Sequence, residues 1–169
     1  MKESIRARLT RILQKADPLP AVAAGFFSGV ILAVILPAHL PNAVLAPLPL
    51  GEALASAIAC ELPIAGAITL TGLTRLPSLP RLPLLYRSLL WGYGSLRMYA
   101  AMGRSFLYFQ YVLGCGLTML PLCCMTRVAI RCAGGNGILR GPRLYDYLCR
   151  SLFYLGLALL TLPLRLYGG

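Results

Sequence analysis

Apolar residues in this chain come in long runs, not in the spaced stripes of a water-soluble helix. Between Pro18 and Gly51 no side chain carries a formal charge at neutral pH. At about 1.5 Å per helical residue, about 20 apolar residues cross a hydrocarbon core of roughly 30 Å. The pattern predicts a first span at 20–38, followed by an irregular outer loop at 39–51 that contains Pro41, Pro47 and Pro49. A second span is expected at 53–74, with Glu61 inside it. Pro77, Pro80 and Pro83, beside Arg75 and Arg81, then predict a turn. A third span follows at 84–102, with Arg87 near its start and Arg97 inside, and Gly103-Arg104 makes a tight turn. The fourth, 105–126, contains no charged residue. A basic, glycine-rich segment from Arg127 through Arg131 and Arg140 to Arg143 leads to the last span at 147–164. No internal repeat is visible. The expected fold is all-α: a polytopic transmembrane bundle of about five spans.

Residues 1–17 read differently. Lys2, Arg6, Arg8, Arg11 and Lys15 make the stretch basic, while Ile5, Leu9, Ile12 and Leu13 fall on one helical face. This predicts an amphipathic arm lying in the inner headgroup region. A cleavable signal peptide also begins with basic residues, but the arm is long and no clear small-residue cleavage pattern follows residue 38. The chain thus divides into an arm at 1–17 and one transmembrane domain at 18–169.

Composition agrees. Only 12% of residues are charged, about half of what a soluble domain needs to face water. With the N-terminus in the cytoplasm, all but three of the 16 Lys/Arg lie in inner segments or at inner span ends, the exceptions being Arg97, Arg104 and Arg165. The opposite orientation would translocate the rest, against the positive-inside rule. Five spans then leave the C-terminus outside. The net charge of +11 fits contact with anionic headgroups; with no basic groove or stacking module, nucleic acid is not an expected partner. The lipid bilayer is.

Chemistry-bearing residues are few. The six cysteines form no CxxC pair and stand near no histidine at ligand spacing, so no metal site is expected, and buried thiols are the ordinary reading. His39, the one histidine, falls at the end of the first span. No Walker loop, nucleophile–histidine–carboxylate set or HExxH occurs. Neither catalysis nor a cofactor is expected. Tyr86, Trp91, Tyr93, Tyr99, Tyr108, Tyr111, Tyr145, Tyr147, Tyr154 and Tyr167 include several residues near span ends, as an interfacial aromatic belt requires.

Two patterns remain. Ala21, Gly25, Gly29 and Ala33 recur every fourth residue, which flattens one face of the first span for close approach of another helix, in this chain or in another. Gly92 and Gly94 suggest similar packing in the third span, and an oligomer is compatible with both. The second pattern is electrostatic. Glu61 lies about 13 Å from the level of Glu52, and Arg97 about 10 Å from that of Arg104. A mid-bilayer charge costs about 2.5–3.5 kcal/mol, which favours pairing. The expected pair is Glu61–Arg97; the competing readings are a snorkelling Arg97 and a protonated, hydrogen-bonded Glu61.

GFFSGVILAVILPA (25–38), ELPIAGAITLTGL (61–73), RSLLWGYGSLRMY (87–99), VLGCGLTMLPLCCM (112–125) and YDYLCRSLFYLGLALLTLPLRLY (145–167) follow one another in an order that resembles the stage II sporulation protein M family. These are small bacterial membrane proteins with a basic N-terminal arm and about five spans. The likeness covers most of the chain. It departs in the short outer region between the first two spans and in Leu164-Arg165, where relatives often carry an acidic residue. The resemblance implies a non-enzymatic scaffold of the bacterial inner membrane that holds peptidoglycan-remodelling partners during sporulation, at engulfment. The alternative is a small membrane transporter, or its substrate-binding subunit, with Glu61 and Arg97 lining a polar cavity.

Overall fold

Proline and glycine, more than hydropathy, set the ends of the helices that the apolar runs form. The computed structural model describes residues 17–36, 50–74, 76–133 and 142–161, and these contain five α-helices and no strand. Helix α1 is Leu19–Ile35, α2 Leu50–Gly72, α3 Arg81–Met102, α4 Phe106–Ala133 and α5 Pro142–Leu160. The all-α expectation holds for them. Residues 1–16 of the expected arm, 39–49 of the expected outer loop with His39, and 162–164 of the expected fifth span lie outside the described residues.

Leu19 opens α1, its N–H donating to Asp17 Oδ1 at 3.4 Å. The helix stops at Leu36, whose backbone sits at φ −105°, ψ 80°, because the ring of Pro37 excludes the helical region for the residue before it. Helix α3 ends on Gly103 at φ 62°, whose N–H donates to Tyr99 O at 2.8 Å. A side chain there would meet the left-handed penalty that glycine escapes. Ser105 starts α4, accepting the Tyr108 N–H at 3.3 Å.

Helices α1 and α2 are displaced by one to three residues from the expected 20–38 and 53–74, and three further boundaries run past charged residues. Helix α4 continues seven residues past 126, through Arg127 and Arg131. Helix α5 begins at Pro142, five residues before 147, and α3 begins at Arg81, three before 84. The cause is the same each time. Charge ends an apolar run but does not break backbone hydrogen bonding, whereas Gly134-Gly135 disfavours further helix and Pro142 suits a first helical position. By length and hydropathy, α4 is the one described helix that meets the requirement for crossing a membrane; α1 and the Ile58–Gly72 part of α2 are apolar but shorter.

Helix α1 packs on α3, and α4 lies between α2, α3 and α5. The core is built from Ile64, Ala65 and Ile68 of α2, Leu84 of α3, Leu122 and Met125 of α4, and Tyr147 of α5. Pro63 and Pro121 lie inside α2 and α4, and each removes one backbone donor from its helix. Tyr147 fastens three helices: its hydroxyl donates to Thr69 O at 2.8 Å, and a Cβ on Gly72 would overlap that hydroxyl and lie 2.8 Å from Ala129 Cβ. Farther along, the hydroxyls of Thr118 and Thr161 are 3.0 Å apart. Large apolar side chains face outward on all five helices, among them Phe27, Leu70, Leu82, Leu120 and Phe153.

Candidate functional site

Charge of both signs lies inside the bundle while large hydrophobic side chains lie outside it. Glu61, on α2, is 1% exposed and Arg87, on α3, is 4% exposed. Arg87 Nε donates to Glu61 Oε1 at 2.8 Å and to Oε2 at 3.0 Å. An Nη2 donor reaches Oε1 at 2.5 Å. The planar guanidinium fork matches the two carboxylate oxygens, which is why arginine rather than lysine suits such a position. Cys115, fully buried on α4, lies beside the same guanidinium. Three helices therefore meet at one polar point.

The pair differs from the expected one. Glu61 meets Arg87, and Arg97 is elsewhere. Ten residues, or about 15 Å of helix, separate the two arginines on α3. A short connection joins Gly72 of α2 to Arg81 of α3, and counted from it Glu61 falls midway between the levels of Arg87 and Arg97, so chain spacing alone does not choose between them. Arg87 lies on the turn's side of mid-α3 and faces Glu61 at the middle of α2. The expectation measured depth from Glu52 and Arg104 instead, as if both marked one boundary. Arg97 sits at the opposite end, where a guanidinium N–H donates to Leu36 O at the C-terminus of α1. It also lies 5.3 Å from the Tyr93 ring centroid and 3.3 Å from the Tyr93 hydroxyl. A cation there complements the partial negative charge of a helix C-terminus.

The small residues of α1 are placed against α3 of the same chain. Gly25, Gly29 and Ala33 are buried and Ala21 is half-buried. A Cβ on Gly25 would overlap Ser88 Oγ and lie 2.5 Å from Leu85 O; one on Gly29 would overlap Leu89 O and lie 2.8 Å from Tyr93 N. Gly92 answers from α3, since its Cβ would overlap Phe26 O. The backbones touch because no side chain separates them. Gly94 faces a different neighbour, the hydroxyl of Tyr111 on α4.

Two aromatic residues depart from the interfacial belt. Tyr147 is buried in the core, and Trp91 packs edge-on against Phe26 with centroids 4.8 Å apart. The thiols divide too: Cys115 and Cys123 are buried, whereas Cys60, Cys124 and Cys149 are exposed. Among the described residues, no group of three His, Cys, Asp or Glu is placed to hold a metal ion.

Sequence reading missed Arg87 because that residue was assigned to the inner headgroup level. Counting from Pro80 places it about two turns along α3, inside the helix, but no nearer the level of Glu61 than Arg97 is. Chemically, the closed pair is suited to fixing helices. A guanidinium does not give up its proton in proteins, and both carboxylate oxygens already accept hydrogen bonds. Compared with known proteins, the chain matches no family model, no curated protein and no solved structure.

Proposed function

We propose that this chain is a multi-pass integral protein of the cell membrane and acts as a non-enzymatic scaffold. One observation carries the reading: the inside-out distribution in which the bidentate Glu61–Arg87 pair is buried while Leu, Ile and Phe side chains project from every helix. In water such a surface is unfavourable at about 25 cal/mol per Å² of apolar area. In a bilayer it is the matching surface, and the paired charges are shielded from lipid. Helix α4, apolar and 28 residues long, has the length to cross a core of roughly 30 Å.

The orientation follows from charge. Arg81, Arg127, Arg131 and Arg143 lie toward one end of the bundle, and Arg97 and Arg104 toward the other. The richer end is cytoplasmic, which places the N-terminus inside and the C-terminus outside. The partners of the scaffold are other membrane or cell-wall-remodelling proteins. A role in sporulation and engulfment rests on the resemblance to the stage II sporulation protein M family.

Topology is tested with single cysteines in a cysteine-free chain at Ser78, Arg104 and Asn136, labelled by an impermeant maleimide. Labelling of 104 from outside, and of 78 and 136 only after the inner face is opened, supports five spans. Labelling of all three from one side refutes them. The scaffold role is tested by deleting the gene in the native bacterium and following membranes through starvation. A septum that forms without engulfment supports the role; normal engulfment removes it.

A second reading, a small transporter, is favoured by the meeting of Glu61, Arg87 and Cys115 from three helices. Stabilisation of the purified protein by a transported solute, abolished by Arg87→Met, would select it over the scaffold.

A further inference from the structure

Positive charge at the cytoplasmic end is only partly answered by acids among the described residues. Asp17 and Asp146 are the described acids there, and both are engaged. Asp17 Oδ2 is 2.7 Å from an Arg127 nitrogen, and Asp146 Oδ2 is 3.0 Å from one of Arg150 across a helical turn. Arg131, in the last turn of α4, and Arg143, in the first turn of α5, are exposed and have no acidic partner among the described residues. They belong to one neighbourhood. Helices α4 and α5 pack against each other in opposite directions, which puts the last turn of α4 and the first turn of α5 at the same end of the pair.

The same face of α5 changes character along its length. Steps of three and four residues place Arg143, Asp146, Arg150, Phe153, Leu157 and Leu160 in one row, and all six are exposed. The first half of the row is charged and net basic. The second half is apolar. The change falls within one turn, between Arg150 and Phe153, as expected where a lipid headgroup gives way to its chains. No other described helix of the bundle covers this row.

We propose that this face binds an anionic phospholipid, with its phosphate held by Arg131 and Arg143 and one acyl chain lying along Phe153, Leu157 and Leu160. The proposal rests on the membrane reading above. Charge complementarity selects the occupant. Two guanidinium groups with no acidic partner among the described residues offer forked donors to phosphate oxygens. A zwitterionic headgroup brings its own cation to the same place, whereas an anionic headgroup does not. Basic sites between helices on the cytoplasmic side recognise anionic headgroups on this principle.

The test uses the full chain, purified in a non-ionic detergent and titrated with dioleoyl phosphatidylglycerol or dioleoyl phosphatidylcholine. Binding is read from the unfolding midpoint against lipid concentration. Phosphatidylglycerol is expected to act at lower concentration than phosphatidylcholine, and Arg131→Gln with Arg143→Gln to remove that preference. The loss expected is about fivefold per arginine and about 30-fold for both. Arg104→Gln, at the other end, is expected to leave the preference intact. Equal action of the two lipids on the native chain, or a preference surviving in the double variant, overturns the proposal. A shift of the same size from glycerol phosphate overturns the assignment to a lipid. A chain that stays dispersed and folded without detergent and responds to neither lipid overturns the membrane reading itself, a distinct result.

Discussion

Replacing Arg87 by methionine removes the cation from beside Glu61 and leaves the carboxylate 1% exposed. Attraction between the two groups is strong because water is excluded, and for the same reason the surviving charge is costly. Breaking a buried pair by removing one partner costs about 3–5 kcal/mol, or two to nearly four powers of ten in the folded-to-unfolded ratio. Replacing both charges by groups of similar volume is far milder, often neutral. The double variant Glu61→Gln with Arg87→Met is therefore expected to be more stable than Arg87→Met alone, and the cycle to show a coupling of several kcal/mol. Arg97→Met supplies the contrast. It loses a helix-terminal cation, typically about 0.3–1 kcal/mol. The assay is unfolding in mixed micelles with increasing sodium dodecyl sulfate, followed by far-UV circular dichroism. Additive effects of Glu61→Gln and Arg87→Met, or a cost at Arg97 equal to that at Arg87, would refute the reasoning.

The glycines give three further expectations by the same assay. Gly29→Ile drives a side chain into the backbone of Leu89 and Tyr93, so α1 separates from α3 at a cost of at least about 1–3 kcal/mol; unchanged stability would contradict the packing. At Gly66 nothing lies within 4 Å of an added Cβ, and Gly66→Ala is expected to stabilise by up to about 1 kcal/mol through helix propensity. Gly72→Ala strikes the Tyr147 hydroxyl and Ala129, so Tyr147→Phe, which alone costs about 1 kcal/mol for its hydrogen bond to Thr69 O, should relieve part of the damage. Purely additive losses would show that the two residues do not touch. Asp17→Asn breaks a pair whose members are 39% and 53% exposed, and the change is expected to stay within about 1 kcal/mol and to shrink further with added salt.

Local chemistry alone was sufficient for much of the fold. Helices were legible from the apolar runs, because in such sequences the backbone must satisfy its own hydrogen bonds. The break between α3 and α4 was legible from Gly103, because the missing Cβ acts on one residue at a time, whereas the boundaries set by Pro37 and Pro142 were placed three and five residues away. A flat face on α1 was legible too, since Gly25 and Gly29 recur with the helical period. Other questions depend on how helices sit against one another, and no run of residues states that. The sequence could not say that the flat face of α1 meets Leu85, Leu89 and Gly92 of its own chain. It pointed to Arg97 as the partner of Glu61, where the packing of α2 against α3 brings Arg87 instead. It placed Tyr147 at an interface, where three helices enclose it. Periodicity assigns a residue to a face, while register along the neighbouring helix decides which charge it meets.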